Sequence, residues 1–485
     1  MRYVPAGRFR QVFAACVLAL CACPAWAEEA ADAGPERLPE GMKVVRIEAF
    51  PPAIELEHPY DYRQLLLTGE LESGERIDVT RLVEAELPEG LVTMTPTSLV
   101  RPAADGGGEL KFSLAGQTLA VSVTVKGQTE KHPVSFVRDV QPALSKMGCN
   151  AGTCHGSANG KNGFKLSLRG YDPLFDHREL TDDLAARRFN RAAPDQSLML
   201  LKPAGGVPHV GGVVTRPGEP YYELLRAWIA DGVELDTGSA RVASIDVFPK
   251  NPVIPLTGMK QQMAVLATYT DGSVRDVTAD AFVESSLTEK VEVSKQGLAT
   301  AVRRGEAAML ARYEGAYAAT TVMVMGDRSG YQWQETPENN HIDTLVYNKL
   351  KKVKILPSGL CGDSDFIRRV YLDLVGLPPQ PEEVRAFLAD TRDTRIKRDE
   401  LIDRLVGSPE FVEHWTNKWA DLLQVNRKFL GEEGAWAFRN WIRQAVATNM
   451  PYDQFVYTVL TASGSNLENP PASYYKVLRD PGDTM

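Results

Sequence analysis

The heptapeptide GERIDVT at residues 74–80 recurs as GSVRDVT at residues 272–278, with its first residue and its final DVT unchanged. A second pair of similar segments precedes it in each half of the chain. RIEAFPPAIEL, which starts at Arg46, corresponds to SIDVFPKNPVI, which starts at Ser244. Three landmarks keep one offset of 198 residues, namely Phe50 and Phe248, Gly74 and Gly272, and Asp78 and Asp276. A constant offset over separate landmarks indicates that one structural module occurs twice.

Each copy has the pattern of an antiparallel β-sandwich. Short runs such as AVLATYT (264–270) and TTVMVM (320–325) alternate apolar and polar residues, and Asp-Gly and Ser-Gly pairs between the runs are typical of hairpin turns. The pattern resembles bacterial Ig-like domains of the group 2 type, in which a DGS…DVT hairpin is typical. The resemblance covers residues 43–126 and 242–326. It implies two all-β Ig-like sandwiches, which in that family are mostly spacers or adhesion modules.

Between the two copies lies a segment of different texture, residues 136–236. SFVRDVQPALSKM (135–147) predicts a helix with one apolar face, and YYELLRAWIADGV (221–233) predicts another amphipathic helix after a loop rich in Pro and Gly. We therefore predict a small helical, loop-rich module flanked by the sandwiches.

The chemistry of this module centres on Cys149, Cys154 and His155. Covalent haem c needs two thiols and an adjacent histidine that ligates iron, and Cys154-His155 provides the fixed part of that signature, although the spacing is C-x₄-C-H instead of C-x-x-C-H. A disulfide between the two thiols is an alternative in an oxidising compartment. A zinc site is another, completed by His177 and His209.

The whole segment resembles planctomycete-type cytochrome c modules. The matching motifs occur in order over about 100 residues: GCNAGTCHG, GKNGFKLSLRGYDP, SLMLLKP and a final LLRAWIADG helix. The resemblance implies haem c attached through Cys149 and Cys154, with His155 as the proximal iron ligand. Where the family carries a methionine before the last helix, this chain has GVPHVGG, so His209 is the expected distal ligand. Met199 is the competing ligand, and His177 is expected to be a solvated helix residue.

From about residue 340 the sequence has helical periodicity. The stretch from FIRRVYLDLVGLPP to FRNWIRQAVATNM resembles the helical domain of unknown function 1549, over residues 340–470. Glu413, His414, Asp421 and Arg439 are polar candidates for a site walled by tryptophans. The simpler interpretation is that the tryptophans form a helical core with charges on its surface. The overall fold class is thus multidomain, with all-β sandwiches flanking a cytochrome c-like module and an all-α domain after them.

The N-terminus has the build of an export signal. Arg2, Arg8 and Arg10 precede a short apolar run, and Ala25-Trp26-Ala27 stands before Glu28, so residues 1–27 are expected to be removed. A retained anchor and a lipoprotein at Cys23 are the alternatives. The mature chain is then expected to have no transmembrane helix and to be periplasmic, on the cell surface or secreted.

Composition and motifs together favour two functions. A net charge of −9 without basic blocks argues against nucleic acid as a partner. The first hypothesis is an exported c-type haem protein with an electron-transfer role and an unknown redox partner. The alternative is a cell-surface protein that binds polysaccharide or protein, with a merely structural cytochrome-like module. An enzyme is not expected, because no nucleophile or metal motif of a hydrolase is recognisable.

Overall fold

The computed structural model describes residues 36–183, 187–328 and 330–477. The predicted signal segment, residues 1–27, lies outside them. The chain divides into two compact units between Ile355 and Leu356. Strands dominate the first unit and helices the second, which confirms the prediction of β-sandwich sheets followed by a helical C-terminal region.

The first copy of the repeat contains ten strands. They are β1 Val44–Phe50, β2 Ala53–Leu56, β3 Arg63–Gln64, β4 Leu66–Leu71, β5 Arg76–Asp78, β6 Glu84–Glu86, β7 Val92–Met94, β8 Leu99–Pro102, β9 Gly106–Leu114 and β10 Gln117–Val125. The sheets have the orders β1-β4-β5, β2-β10-β9-β6 and β3-β8-β7. The Ser73-Gly74 turn joins antiparallel β4 and β5, as its sequence predicts. Apolar side chains such as Ile54, Leu67 and Phe112 fill the core.

The second copy repeats this topology. Its strands are β11 Val242–Phe248, β12 Val253–Ile254, β13 Lys260–Gln262, β14 Ala264–Tyr269, β15 Val274–Asp276, β16 Phe282–Ser285, β17 Val291–Val293, β18 Leu298–Ala301, β19 Gly305–Tyr313 and β20 Ala316–Val324. The sheets run β11-β14-β15, β12-β20-β19-β16 and β13-β18-β17. Strand for strand the order equals that of the first copy, so the sequence repeat is a structural repeat.

The segment between the copies is built from short helices. A π-helical turn, Phe136–Val140, leads into α1 Gln141–Lys146, and α2 Pro173–Thr181, α3 Leu198–Leu201 and α4 Pro220–Ala230 follow, with 3-10 turns at Leu168–Gly170 and Pro194–Gln196. Phe136, Leu144 and Trp228 pack in one buried cluster. The apolar faces predicted for residues 135–147 and 221–233 therefore pack in one common core.

The two copies are joined by a reciprocal pair of hydrogen bonds. The backbone N–H of Gln262 donates to the Asp78 carboxylate at 2.5 Å, and the backbone N–H of Gln64 donates to the Asp276 carboxylate at 2.6 Å. Gln64 and Gln262 are equivalent positions of the repeat, as are Asp78 and Asp276. Contacts exchanged in this way between equivalent positions are the signature of a two-fold interface. Phe50 and Phe248, also equivalent, pack against each other across it with ring centroids 4.7 Å apart and the ring planes tilted by 30°.

The aspartate of the DVT motif also accepts a hydrogen bond within its own copy of the repeat, next to the hairpin that contains it. The second oxygen of Asp78 accepts from the backbone N–H of Thr80 at 2.7 Å, and Thr80 Oγ1 accepts from the N–H of Leu67 at 2.9 Å. Asp276 and Thr278 make the same bonds in the second copy. Each buried carboxylate therefore serves two backbone donors that water cannot reach.

The two aspartates differ in their charged neighbours. Arg81 pairs with Asp78 at 3.0 Å, whereas the equivalent position of the second copy is Ala279. Burial raises the pKa of Asp276 from its ordinary 3.8 to about 6, against the opposing effect of hydrogen bonds from Gln64 and Thr278.

The helical segment is attached mainly to the second copy. Asp139 pairs with Arg275 at 2.7 Å, and Lys146 Nζ donates to the Ala281 carbonyl at 2.5 Å. The Tyr221 hydroxyl donates to the Asp280 carboxylate at 2.9 Å. Arg275 belongs to the GSVRDVT motif, so the motif that joins the sandwiches also holds the helical segment.

Eight helices follow the second sandwich within the described residues. They are α5 His341–Lys352, α6 Asp363–Val375, α7 Pro381–Ala389, α8 Thr394–Leu405, α9 Pro409–Leu422, α10 Arg427–Ala447, α11 Tyr452–Leu460 and α12 Ser473–Val477. Helix α5 belongs to the first unit, where Lys349 pairs with Glu306. The second unit thus starts at Leu356, after the predicted boundary at residue 340. None of the described helices is both long and apolar enough to cross a bilayer.

We expect Asp78→Ala and Asp276→Ala each to lower the free energy of unfolding by about 2 to 3 kcal/mol, because each leaves a buried backbone N–H of the other copy without an acceptor. Asp246→Ala is the control, since that exposed carboxylate pairs only with Lys250 at the surface and should cost less than about 1 kcal/mol. Urea unfolding measures all three. Equal losses for buried and exposed aspartates would show that the reciprocal bonds do not stabilise the fold.

The raised pKa of Asp276 predicts a pH dependence. Between pH 4 and 6 the folded chain keeps a proton on this carboxyl that the unfolded chain has released, so its contribution to stability is fully present below pH 4 and is lost as pH rises to 6. The wild-type minus Asp276→Asn difference in unfolding free energy should therefore fall by about 2 kcal/mol across this window. A flat or rising difference curve would contradict it.

Candidate functional site

The candidate site is a compact loop that continues helix α1. The N–H of Cys149 donates to the Leu144 carbonyl at 2.9 Å, and the N–H of Cys154 donates to the Ala151 carbonyl at 2.9 Å. The N–H of His155 then returns to the Cys149 carbonyl at 3.0 Å. The four residues between the cysteines therefore form turns, and the wider spacing still brings His155 back beside Cys149.

Gly156 makes this return possible. A Cβ at Gly156 would stand 2.0 Å from the Asn150 carbonyl oxygen, so no other residue fits without moving backbone. At Gly152, by contrast, a Cβ would have an ordinary contact of 3.6 Å with the Leu168 side chain.

Both thiols are free in the structure, so the disulfide alternative is not adopted. Burial, and next the neighbouring Cys154, raise the pKa of the Cys149 thiol to about 12. Cys149 is partly buried against the core that contains Phe136 and Trp228. The pair is thus close in space, and Cys149 is a neutral thiol at ordinary pH.

The ring of His155 is fixed by the backbone. Its Nδ1 lies 3.0 Å from the Phe164 carbonyl oxygen, so Nδ1 carries the proton and donates. Nε2 is then the unprotonated nitrogen, which is the arrangement that metal-ligating histidines use. The Phe164 ring lies against the imidazole with centroids 4.5 Å apart. Burial lowers the pKa of His155, with smaller contributions from the charges of His209, Lys202 and Arg188.

His209 has the same arrangement. Its Nδ1 lies 3.1 Å from the Gly212 carbonyl oxygen, which leaves Nε2 as the free nitrogen. A Cβ at Gly211 would be 2.7 Å from the His209 ring, so glycine there gives the ring its room. His209 is close enough to His155 for its charge to affect the pKa of His155. The two predicted ligands are therefore brought into one neighbourhood, each with its Nδ1 bonded to a carbonyl.

The other candidate ligands of the module lie elsewhere. Met199 packs against the buried cluster, as its apolar setting suggests. The prediction that His177 is a solvated helix residue is wrong: Nε2 hydrogen-bonds the Val233 carbonyl at 2.8 Å and the ring contacts Phe136 edge-on. His177 is therefore half-buried, with a structural hydrogen bond and a ring contact at the edge of the core. Within residues 36–183, 187–328 and 330–477, no three His, Cys, Asp or Glu side chains gather as a metal-ion site, which leaves the zinc alternative without its ligand set.

Sequence reasoning missed Phe164, whose carbonyl sets the tautomer of His155. Phe164 also receives the Arg188 guanidinium over its face at 4.1 Å. The sequence did contain a signal for this role, namely an aromatic residue inside GKNGFKLSL shortly after the histidine. An aromatic ring is large enough to pack against its neighbours and so order a glycine-rich loop.

In the second unit two of the four polar candidates, Glu413 and Arg439, form a surface ion pair, whereas the His414 ring lies edge-on to Trp415 with its Nε2 buried. Glu413 bonds Arg439 at 2.8 Å and Arg443 at 2.6 Å. Trp419 packs on Phe455, with centroids 5.1 Å apart, and Trp436 is half-exposed. The tryptophans therefore do not wall a single cleft, and the simpler interpretation of core tryptophans with surface charges describes this unit better.

Comparison with known proteins bears on the helical part of the chain. Residues 341–480 match PSCyt2, a family described as "Protein of unknown function (DUF1549)". The C-terminal resemblance is thereby confirmed. The Ig-like and cytochrome c resemblances remain predictions.

One curated relative and several solved structures are also similar. A stretch of 130 residues is 31% identical to Ice-binding protein 1 of Shewanella frigidimarina (strain NCIMB 400), and it makes up 27% of this chain and 14% of that protein. The surface layer protein SbsC, domains 1–6, is 12% identical and covers 60% of this chain and 30% of its own, with a TM-score of 0.17. The structure of SbsC domains 5–6 is 10% identical, and the match covers 59% of this chain and 99% of that structure, with a TM-score of 0.24.

We predict that Gly156→Ala disrupts the cysteine loop and lowers the free energy of unfolding by more than about 2 kcal/mol, because its Cβ meets backbone, which cannot rotate away. Gly152→Ala is the matched control, with a change below about 1 kcal/mol. Thermal unfolding measured by circular dichroism compares them. Similar melting temperatures for the two variants would mean that the loop is not closed as described.

Proposed function

We propose that this chain is an exported c-type haem protein with an electron-transfer role. The observation that carries the proposal is the state of His155, whose Nδ1–H is bonded to a backbone carbonyl beside two free thiols, so that Nε2 is left as a ligand. The donor set fits haem c: two thiols for the thioether bonds and an imidazole for iron.

Cys149 and Cys154 would hold the haem covalently and His155 would be the proximal ligand. His209, with Nδ1 bonded to the Gly212 carbonyl, would supply a second imidazole to the iron. When bound, the haem supplies a one-electron redox centre. Two imidazole ligands give a lower reduction potential than one imidazole and one methionine.

Expression of the full chain with a periplasmic haem-maturation system should give a protein whose Soret and α bands survive denaturation. The double variant Cys149→Ala, Cys154→Ala should lose that denaturation-resistant colour, because no thioether bonds can form. Mass spectrometry of both proteins checks for the added haem mass. A colourless wild-type chain would remove haem binding as the function.

The His209→Ala variant should open the iron to added imidazole or cyanide and raise the reduction potential, because a strong nitrogen ligand has been removed. Met199→Ala should leave the absorption spectrum low-spin and the potential unchanged. Spectroelectrochemistry measures both. An unchanged His209→Ala protein, together with a changed Met199→Ala protein, would assign the distal position to Met199.

A second candidate is a cell-surface protein that binds polysaccharide or another protein. The pair of sandwiches joined by buried reciprocal bonds supports it, because such a body holds an attached module in a fixed position. Glycan-array binding that persists in the double cysteine variant would favour this function. Binding lost together with haem would count against it.

A further inference from the structure

The outward face of the sheet β12-β20-β19-β16 carries an aromatic and cationic row of side chains. Phe282 of β16 lies opposite Arg312 of β19, and Arg312 lies opposite Tyr317 of β20. Directly opposed residues of neighbouring strands point to the same side of a sheet, so the three side chains share one surface. The Arg312 guanidinium lies over the Phe282 ring at 4.4 Å, and Tyr317 is 68% exposed.

The fold does not require this row. In the same register on β6, β9 and β10 of the first copy, the corresponding residues are Glu84, Ser113 and Thr118. The neighbouring row, by contrast, begins with glutamate and ends with alanine in both copies. Because the two copies share one topology, the exchange of all three residues indicates that this face of the second copy has a role of its own.

The Phe282 end of the row borders a small cavity between the second sandwich and the helical segment. Phe282 and Arg312 line the cavity from the sheet, and Gln141 and Arg169 line it from the helical segment. Its volume is about 20 Å³, which is room for one small polar group. Gln141 is 3% exposed and donates its Nε2–H to Asp176, whereas its Oε1 has no hydrogen-bond partner among the described residues. A buried acceptor without a donor is costly, so a ligand that brings a hydroxyl group there is stabilised.

Arg169 and Arg312 are cations without a counter-ion. In the part of the chain that the structure describes, neither guanidinium forms an ion pair or donates a hydrogen bond. Burial, and next the charge of Arg169, lower the pKa of Arg312. Of the acids that line the same cavity, Asp280 accepts from two tyrosine hydroxyls, and burial raises the pKa of Glu314 to about 7. The two guanidinium groups therefore remain available to an external anion.

We propose that Arg169, Arg312 and Tyr317 form a binding site for an acidic polysaccharide that contains uronate sugars. The inference rests on the second candidate function, polysaccharide binding, and does not depend on haem. The uronate carboxylate accepts the paired hydrogen bonds that a guanidinium donates, and the apolar face of the sugar ring covers Tyr317. A sugar hydroxyl donates to Gln141 Oε1, which is an acceptor.

A sugar chain fits this face better than a protein partner does. The outward positions beside the row are mostly small, namely Ala308, Ala319 and Thr321, so that the face is flat around Tyr317. Large apolar exposure on these two strands is limited to Tyr317 and the half-exposed Leu310. A protein interface is built around a larger apolar centre. A uronate chain carries carboxylate and hydroxyl groups close together, as two cations beside an unpaired acceptor require.

Calorimetric titration of the full chain with oligogalacturonate tests the site. Arg312→Ser, Tyr317→Thr gives the second copy the residues that the first copy has in this row, so the sheet should fold unchanged. Lys111→Ser, Tyr457→Thr is the matched control, since it removes one exposed cation and one exposed tyrosine elsewhere. We expect the site variant to bind at least roughly tenfold more weakly and the control to change less than twofold. Arg312→Lys should also weaken binding, because it keeps the charge and loses the paired donors.

Equal affinities of the wild type and the site variant would overturn the site and leave polysaccharide binding, the second candidate function, in place. A wild-type chain that does not bind oligogalacturonate would reject the inference, and a glycan array then tests the candidate function separately. Dextran sulfate that binds as tightly as oligogalacturonate, without loss in Arg312→Lys, would reveal a general polyanion contact and overturn the uronate assignment. A wild-type dimer in sedimentation that the site variant makes monomeric would identify a second copy as the occupant and overturn the proposal.

Discussion

The reciprocal bonds of Asp78 and Asp276 are the constraint on which the rest of the first unit depends. Each carboxylate is buried, accepts from a backbone donor of the other copy and still holds its own hairpin. An unpaired buried donor is costly, so both copies must keep their aspartate and must face each other across the same two-fold arrangement. The two sandwiches that the repeat encodes are thereby joined to each other through buried hydrogen bonds.

The same motif has diverged where the helical segment attaches. Arg275 in the second copy pairs with Asp139 at the start of that segment, whereas the equivalent residue of the first copy is the buried Ile77. This exchange between an apolar and a cationic side chain is one of the differences between the copies that favour the second sandwich as the place of attachment. The two-fold interface positions the sandwiches, and the ion pair positions the cysteine loop on one of them.

In the loop itself, backbone carbonyls organise the histidines. The Phe164 and Gly212 carbonyls each accept from the Nδ1 of one imidazole, and both leave Nε2 without a proton. Glycines at 156 and 211 provide the space for this arrangement. The C-x₄-C-H spacing is accommodated because its four intervening residues fold into turns that return the chain to Cys149.

The sequence by itself determined the features that depend on local chemistry. The repeat, the hairpin turns, the helical C-terminal region and the thiol–histidine motif could all be read from residue spacing and turn-forming residues. Only the tertiary structure decided which distant groups meet. It packed His177 half-buried against Phe136, brought His209 near enough to His155 for its charge to affect the pKa of His155, and turned the aspartate of a hairpin motif into the link between two sandwiches. These outcomes depend on burial and on contacts between residues far apart in the chain, for which local sequence patterns carry no signal.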